Sequence, residues 1–219
     1  YFFTEAWLNA NVSDTELRFT NVSIFHLDRN SNTNPCPRRV GTLISVKNSI
    51  YSSLLSISIL FLEQIFVNLR FKNQTFIVGP VYIPPNIDKS NYKLYINSID
   101  EIYHYHPGSN VILICNFNLP NIKWSRNHND ENIITLLCDS NSIESTFVNA
   151  LSCLYFLQFN FNFNNKNKML DLVFCNSVYL NFSVIDSLLS LDPFHSALNI
   201  SFVIDKSSKF YFEETFIKF

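Results

Sequence analysis

Glycine is scarce in this sequence: there are three in 219 residues, against 22 phenylalanines and 10 tyrosines. A sheet protein with many tight turns normally uses more glycine, because glycine adopts left-handed backbone without steric cost. Asparagine tolerates that conformation better than most residues, so the abundant asparagines are expected to occupy such turns. An AT-rich coding sequence would produce the same excess of Asn, Phe, Ile and Tyr, and composition does not separate the two explanations.

Charge and clustered cysteines are lacking too. Only 16% of the residues are charged and the net charge is -2, so a DNA contact would have to use a local basic patch. The cysteines are odd in number, scattered and without C-x-x-C spacing, which argues against a disulfide scaffold and a zinc site and favours a reduced, intracellular setting. They are Cys36, Cys115, Cys138, Cys153 and Cys175.

The sequence has no long hydrophobic run. Its most apolar stretch, residues 54–66, is interrupted by Ser56, Ser58, Glu63 and Gln64. A membrane-spanning helix needs about 20 predominantly apolar residues. The stretch is therefore predicted to belong to a core, and no membrane partner is expected.

The length of 219 residues favours one domain with a substantial core, and hydrophobic periodicity predicts that it mixes strands and helices. Apolar residues at spacings of three and four predict a helix over 88–105, and a second, shorter helix is predicted over 130–139. Strands are predicted at 40–47, 64–71, 75–83, 169–175, 178–185 and 197–204, the second and third forming a hairpin. This order favours two packed sheets flanked by helices, a four-layer α+β sandwich.

One stretch organises the rest: the aliphatic run Val111-Ile112-Leu113-Ile114 ends at alternating amides, Asn116 and Asn118. Consecutive aliphatics predict a strand covered on both faces, and residues two apart lie on the same side of it. Pro120 forbids further ladder pairing. Polar groups at the end of a buried strand predict a site.

This stretch resembles the Gly-Asp-Phe-Asn-x-Pro-x-x-x-Trp segment of the endonuclease/exonuclease/phosphatase superfamily, and more narrowly the endonuclease domain of LINE-type (non-LTR) retrotransposons. Four other motifs match in the same order along the chain. They are Thr4-Glu5-Ala6-Trp7-Leu8, Val81-Tyr82-Ile83-Pro84-Pro85, Met169-Leu170-Asp171-Leu172-Val173-Phe174 and Asp192-Pro193-Phe194-His195.

The resemblance implies a deoxyribonuclease I-like αββα sandwich. Residues 1–205 would form this domain, and 206–219 would be a polar tail or the start of a linker to a following domain. The sequence begins at Tyr1, without the strand and helix that precede this point in the family and supply an Asn beside the metal. The domain is therefore expected to be N-terminally truncated.

The resemblance implies roles for the residues of this sequence that match the family's motifs. Glu5 would bind Mg²⁺ or Mn²⁺, being a hard carboxylate ligand for a hard cation. His195 would contact the scissile phosphate, with Asp171 orienting it and Asp192 as the acidic residue of the final motif. Tyr82 would donate a hydrogen bond to the phosphate, and its alternative is an ordinary core tyrosine. Glu5 has an alternative as a surface carboxylate, and His195 as a structural histidine.

Two departures from the family's motif affect catalysis. Cys115-Asn116 replaces Gly-Asp, and the missing Asp is the group thought to position or deprotonate the attacking water. Because an amide does not accept that proton, its loss costs roughly 10² to 10⁴ in rate and weakens the metal site. Asn118 is retained and would orient the nucleophile or phosphate, with a turn-forming role as its alternative.

The sequence thus predicts metal-dependent phosphodiester hydrolysis on DNA, impaired by Asn116. The alternatives are an inactive relic of the fold that binds nucleic acid or phosphate at most, and an unrelated β-sandwich binding module. The resemblance implies a monomeric domain of a larger polyprotein with reverse transcriptase, intracellular and, if functional, nuclear.

Overall fold

The computed structural model describes residues 2–3, 19–27, 41–59, 62–84, 87–119, 122–126, 134–137, 142–164, 169–177, 180–184, 198–205 and 208–213. These ranges contain two helices, α1 (Ser90–Tyr105) and α2 (Ile143–Cys153). The strands are β1 (Phe2–Phe3), β2 (Val22–Leu27), β3 (Thr42–Lys47), β4 (Tyr51–Leu55), β5 (Glu63–Gln64), β6 (Phe66–Phe71), β7 (Gln74–Tyr82), β8 (Asn110–Asn116), β9 (Lys123–Arg126), β10 (Ile134–Leu137), β11 (Leu157–Gln158), β12 (Asp171–Cys175), β13 (Leu180–Val184), β14 (Leu198–Asp205) and β15 (Ser208–Glu213).

A nine-stranded sheet forms the centre of the molecule. Its order is β4-β6-β7-β8-β12-β11-β10-β9, with β5 paired to β7 off this path. The pair β7 and β8 is parallel, and α1 makes the crossover between them, as a parallel pair requires. Two smaller sheets complete the described strands, in the orders β1-β3-β2 and β13-β14-β15.

Both faces of the central sheet are covered, as the aliphatic run of β8 predicts. Val111 and Leu113 pack in a cluster with the buried residues of α1 and α2. Ile112 and Ile114 point the other way, into a cluster that contains Ile44 of β3 and Ile200 of β14. The helices thus lie on one face and the smaller sheets on the other, which confirms an α+β sandwich.

The first helix is confirmed and the second is misplaced in the sequence prediction. In α1, Tyr92, Tyr95, Ile99 and Ile102 are buried as their spacing predicts. The helix predicted over 130–139 is wrong: Ile134–Leu137 is strand β10, which pairs with β9. A short run of consecutive apolar residues does not distinguish a strand from a helix.

Helix α2 instead begins after Ser142, whose Oγ accepts a hydrogen bond from the Ser145 amide at 3.0 Å. A serine in this N-cap position satisfies an amide that has no partner within the helix. Both helices of the described residues lie on the same face of the central sheet. The outer helical layer of the predicted four-layer arrangement is not among those residues.

The other predicted strands are found, including the hairpin of β6 and β7 with Phe71 opposite Gln74. The stretch predicted as core is only partly buried. Leu62 and Phe66 are buried, whereas Leu54 lies on edge strand β4 and is 56% exposed. Strand β15 pairs with β14 inside the segment interpreted as a polar tail. The domain boundary at residue 205 stays a prediction. None of the helices in the described ranges is long and apolar enough to cross a bilayer.

Candidate active site

Four polar residues lie side by side across four neighbouring strands. Tyr82 on β7 is in register with Asn116 on β8, and Asn116 is opposite Asp171 on β12. On the other side of Tyr82, Glu63 on β5 completes the row. Residues paired directly across strands point to the same face of a sheet. Glu63, Tyr82, Asn116 and Asp171 therefore form one row, called here the polar row.

The polar row lies on the face covered by the smaller sheets. Asn116 follows Ile112 and Ile114 at intervals of two, and both belong to the cluster on that face. The next residue along from Glu63, Gln64, points the other way, since its Nε2 donates to Ser98 Oγ on α1 at 2.8 Å. The polar row is thus where the apolar interior between the sheets ends.

All four side chains are buried. Glu63 is 4% exposed, Tyr82 7%, Asn116 3% and Asp171 7%. Burial strengthens electrostatic interactions between such groups and makes each charge expensive to keep unless it interacts with another group. A buried polar row at the end of a sheet face is therefore a better candidate for chemistry than a solvated cluster on the surface.

The turn after β8 fixes Asn116 and joins it to β7. Asn116 Oδ1 accepts a hydrogen bond from the Asn118 amide at 3.0 Å, and the Asn116 carbonyl accepts one from the Ile83 amide at 3.2 Å. Asn118 has a φ of 46°, and its Nδ2 donates to the Ile83 carbonyl at 2.7 Å. These contacts favour the turn-forming interpretation of Asn118, since asparagine tolerates this left-handed backbone.

Helix α1 anchors the same turn from the other face. The Tyr92 hydroxyl donates to the Phe117 carbonyl at 3.0 Å. Burial, with the negative charge of Glu144 as a second cause, raises the pKa of Tyr92 to about 12. The phenol therefore stays protonated as a donor at physiological pH, and it holds the segment that follows Asn116.

Charge is distributed unevenly along the polar row. Glu63 and Asp171, at its two ends, are carboxylic acids, whereas Tyr82 and Asn116 between them are neutral groups. Neighbouring strands lie about 4.8 Å apart, so the backbones of the two acidic residues are roughly 14 Å apart. Asn116 is directly opposite Asp171, and an amide there avoids the repulsion that a second carboxylate would cause.

The described residues do not by themselves form a metal site. No group of three or more His, Cys, Asp or Glu side chains within them is arranged to hold a metal ion. The polar-row atoms that could bind a metal ion are all oxygens, which are the ligands that Mg²⁺ and Mn²⁺ prefer. Glu5, predicted as the metal ligand, lies outside the described residues.

The structure thus brings together three of the predicted site residues, Tyr82, Asn116 and Asp171, with Asn118 in the turn beside them. Glu5, Asp192 and His195 lie outside the described residues, and their roles stay predictions.

The sequence analysis missed Glu63 as a member of this row. The available signal was the polar pair Glu63-Gln64 within the most apolar stretch of the chain. What decides its place is the pairing of β5 with β7, which no local pattern reveals.

Comparison with solved structures identifies the fold. The endonuclease domain of TRAS1, a telomere-specific non-LTR retrotransposon, matches with a TM-score of 0.59 at 12% identity, over 86% of this chain and 83% of that one. The human Nocturnin catalytic domain matches with a TM-score of 0.55 at 11% identity, over 87% of this chain and 75% of that one. A mannosyl-6-phosphatase from Bacteroides thetaiotaomicron matches with a TM-score of 0.51 at 9% identity, over 98% of this chain and 80% of that one.

These likenesses show that the chain has the endonuclease/exonuclease/phosphatase fold, which the resemblance implies, and they exclude an unrelated β-sandwich. No protein-family model matches the sequence. No curated protein matches it either.

Proposed function

We propose that this chain is an endonuclease domain of the retrotransposon type that hydrolyses phosphodiester bonds in DNA, with activity impaired by Asn116. The observation that carries the proposal is the polar row, in which Tyr82, Asn116 and Asp171 come from three separate family motifs and lie side by side. The fold is shared with nucleases and phosphatases, whose common chemistry is attack on a phosphate ester. Fold alone does not establish a reaction, so the residues decide it.

Each residue has a role in this proposal. The Tyr82 phenol donates a hydrogen bond to a phosphate oxygen, and His195 stabilises the charge that develops on the phosphate. Asp171 orients His195, and Asp192 contributes the acidic residue of the same motif. Asn118 orients the phosphate or water only to the extent that its bond to Ile83 leaves its amide available.

A divalent cation completes the chemistry. Glu5 would hold Mg²⁺ or Mn²⁺ as a hard oxygen ligand. When bound, such an ion polarises the phosphate and lowers the pKa of water. Its site is weakened here, since Asn116 provides a neutral oxygen in place of a charged one, and that oxygen already accepts the Asn118 amide.

Asn116 is the cause of the proposed impairment. The family's Asp positions or deprotonates the attacking water, and an amide has no basic site for that proton. The loss of such a base costs roughly 10² to 10⁴ in rate. The Asn116 side chain keeps the geometry of the turn, because its Oδ1 makes the bond that a carboxylate oxygen would make.

Nicking of supercoiled plasmid in the presence of Mg²⁺ tests the proposal, with the chain, Asn116→Asp, and Asn116→Asp combined with His195→Ala compared side by side. We expect Asn116→Asp to nick roughly 100-fold faster than the chain or more, and His195→Ala to abolish that gain. Equal rates for the chain and Asn116→Asp would show that the amide does not impair the site. Absence of nicking in all three would overturn hydrolysis.

A second candidate is an inactive relic that binds nucleic acid or phosphate without cleaving it. The amide opposite Asp171 favours it, since an uncharged residue there removes the like-charge repulsion that a second carboxylate would cause. Binding of duplex DNA by the chain, together with no nicking by Asn116→Asp, would favour the relic. With a net charge of -2, that binding should depend on a local basic patch and weaken steeply with salt.

The cellular setting belongs to the same proposal. The domain would act as a monomeric unit of a larger polyprotein with reverse transcriptase, on DNA in the nucleus. Size-exclusion chromatography of the isolated chain tests the monomeric state, and a dimer at micromolar concentration would contradict it.

A further inference from the structure

The backbone ladder between β11 and β12 stops just before it reaches the polar row. Leu157 pairs with Cys175 and Gln158 with Phe174, and the Phe159 amide donates to the Val173 carbonyl at 2.9 Å. Beyond this point the chain leaves β12. No further backbone bond between these two segments reaches Asp171 within the described residues.

Where the chain after β11 leaves β12, a side-chain hydrogen bond replaces the next backbone bond of the ladder. Asn160 Nδ2 donates a hydrogen bond to the Asp171 carbonyl. Its Oδ1 accepts a bond from the Asn162 amide at 2.8 Å. Asn160 is 2% exposed, so water does not replace these bonds. On the side away from β8, the end of β12 that bears the polar-row carboxylate is thus held by one amide side chain.

Gln158 holds Asn160 in turn. Its Oε1 accepts from the Asn160 amide, and its Nε2 donates to the Asn160 carbonyl. Both backbone groups of Asn160 are therefore bound by one side chain, which is itself 1% exposed. Met169 closes this cluster, with its sulfur 3.1 Å from Gln158 Nε2.

We propose that Asn160 and Gln158 are positioning residues for Asp171. They fix the backbone from which the carboxylate extends, and hence its place opposite Asn116. The inference rests on the proposed function for its chemical consequence. The placement of Asn160 and Gln158 matters because a displacement of about 1 Å at a reacting group costs roughly 100-fold in rate.

The competing explanation is that these amides serve folding alone, and the chain contains a matched control for it. Asn176 lies just beyond the other end of β12, where its Oδ1 accepts from the Val111 amide at 2.8 Å and its Nδ2 donates to the Ser109 carbonyl at 3.0 Å. It is the same residue type with the same kind of backbone contacts. Along the strand it is roughly 16 Å from Asp171.

The kinetic test introduces Asn160→Ala or Asn176→Ala into the Asn116→Asp protein and measures plasmid nicking. We expect both to lower the unfolding temperature, because each leaves buried backbone groups without a partner. Only Asn160→Ala should lower kcat, by about 10- to 100-fold with KM little changed. An equal fall in kcat for the two variants would overturn the positioning role.

Hydrogen exchange measured by mass spectrometry tests the same inference without catalysis. In Asn160→Ala, exchange should accelerate at residues 115–118 and 170–173, whereas in Asn176→Ala it should accelerate at the opposite end of the two strands. If no variant nicks DNA, the proposed function fails. The hydrogen-exchange pattern then tests by itself whether Asn160 positions Asp171. Unchanged exchange at 115–118 and 170–173 in Asn160→Ala would overturn it.

Discussion

At position 116, the change from a carboxylate to an amide keeps the geometry of the turn but removes the chemistry of a base. The Asn116 Oδ1 makes the turn-forming bond to the Asn118 amide that a carboxylate would also make. Its nitrogen replaces the second oxygen, which removes both the charge and the basic site. We therefore expect the fold to tolerate either residue, and Asn116→Asp to raise the rate of hydrolysis while lowering stability.

We predict that Asn116→Asp lowers the free energy of unfolding at neutral pH, on the order of 1 kcal/mol, because the new carboxylate lies opposite Asp171. Repulsion raises the folded-state pKa of the pair above the unfolded value. The loss should therefore be absent below about pH 4, where the carboxyls become protonated in both states, and should grow as pH rises from there through the raised folded-state pKa. Urea denaturation at several pH values measures it.

Asn48→Asp is the control for that prediction, since this exposed amide accepts a bond from Ser23 Oγ that a carboxylate would also accept. It should leave the stability close to that of the parent. A variant at position 116 as stable as the parent at neutral pH would contradict the predicted repulsion.

Two cysteines should differ sharply in reactivity. Burial raises the pKa of the Cys175 thiol to about 12, so the thiolate fraction near pH 8 is about 10⁻⁴. Cys153 at the end of α2 is exposed. With iodoacetamide at about pH 8, we expect rapid alkylation of Cys153 and none of Cys175 until the protein is unfolded, as measured by mass spectrometry. Labelling of Cys175 in the folded protein would contradict its burial.

At the scale of elements, the site depends on strands that end together. Strands β7 and β8 run parallel and finish at Tyr82 and Asn116, and β12 begins beside them at Asp171. The contacts that hold these ends come from neighbouring elements: Tyr92 of α1 binds the turn after β8, and Asn160 after β11 binds β12. The polar-row ends of β8 and β12 are thus fixed by residues outside the row.

Strand β7 also depends on a close approach at Gly79. A Cβ at this position would overlap the ring of Phe66 on the adjacent strand β6. We predict that Gly79→Ala lowers the free energy of unfolding by about 1–3 kcal/mol, because the packed ring has little space to move. Chemical denaturation measures the change.

A second substitution tests the cause of that loss. Phe66→Leu removes the ring, so the double variant should be less destabilised than the sum of the two single variants. Strict additivity would show that the overlap is not the cause.

At the scale of the whole molecule, the central sheet separates two hydrophobic clusters. One lies under the helices and the other under the smaller sheets, and the polar row closes one end of the second. Two tyrosine hydroxyls tie helix α1 to what lies around it: Tyr92 binds the turn after β8, and Tyr103 donates to the Leu154 carbonyl at the end of α2 at 3.0 Å. Burial raises the pKa of both phenols.

Because the pKa of both phenols is raised in the folded state, we predict that the protein loses stability at alkaline pH. For Tyr92, the folded pKa of about 12 exceeds the ordinary value of about 10, so its contribution is complete below pH 10 and is lost as pH rises through 12. We expect Tyr92→Phe to be about 1 kcal/mol less stable at neutral pH and to lose less stability than the parent between about pH 10 and 12. Denaturation midpoints across this range measure both effects.

Tyr155→Phe is the matched control, because Tyr155 is 82% exposed. It should follow the alkaline profile of the parent. If Tyr92→Phe loses stability as steeply as the parent does, another group controls the alkaline transition.

The success of the sequence predictions followed the length and clarity of each pattern. The hairpin of β6 and β7 and helix α1 were found, because their alternation and periodicity extend over many residues. The helix predicted over 130–139 was wrong, since a four-residue run such as Ile134–Leu137 fits a strand equally well. The true start of α2 was signalled by Ser142, a local cue that the hydrophobic pattern obscured.

The sequence by itself determined which residues face which side of the strand at 110–116, because alternation is a local property of the chain. The resemblance to the family's motifs supplied Tyr82, Asn116 and Asp171 as site candidates. Only the tertiary structure decided that Glu63 joins them and that Asn160 supports Asp171. Both depend on register between strands distant in sequence. Register is set by the ladder and the packing of a whole face, which no single stretch contains.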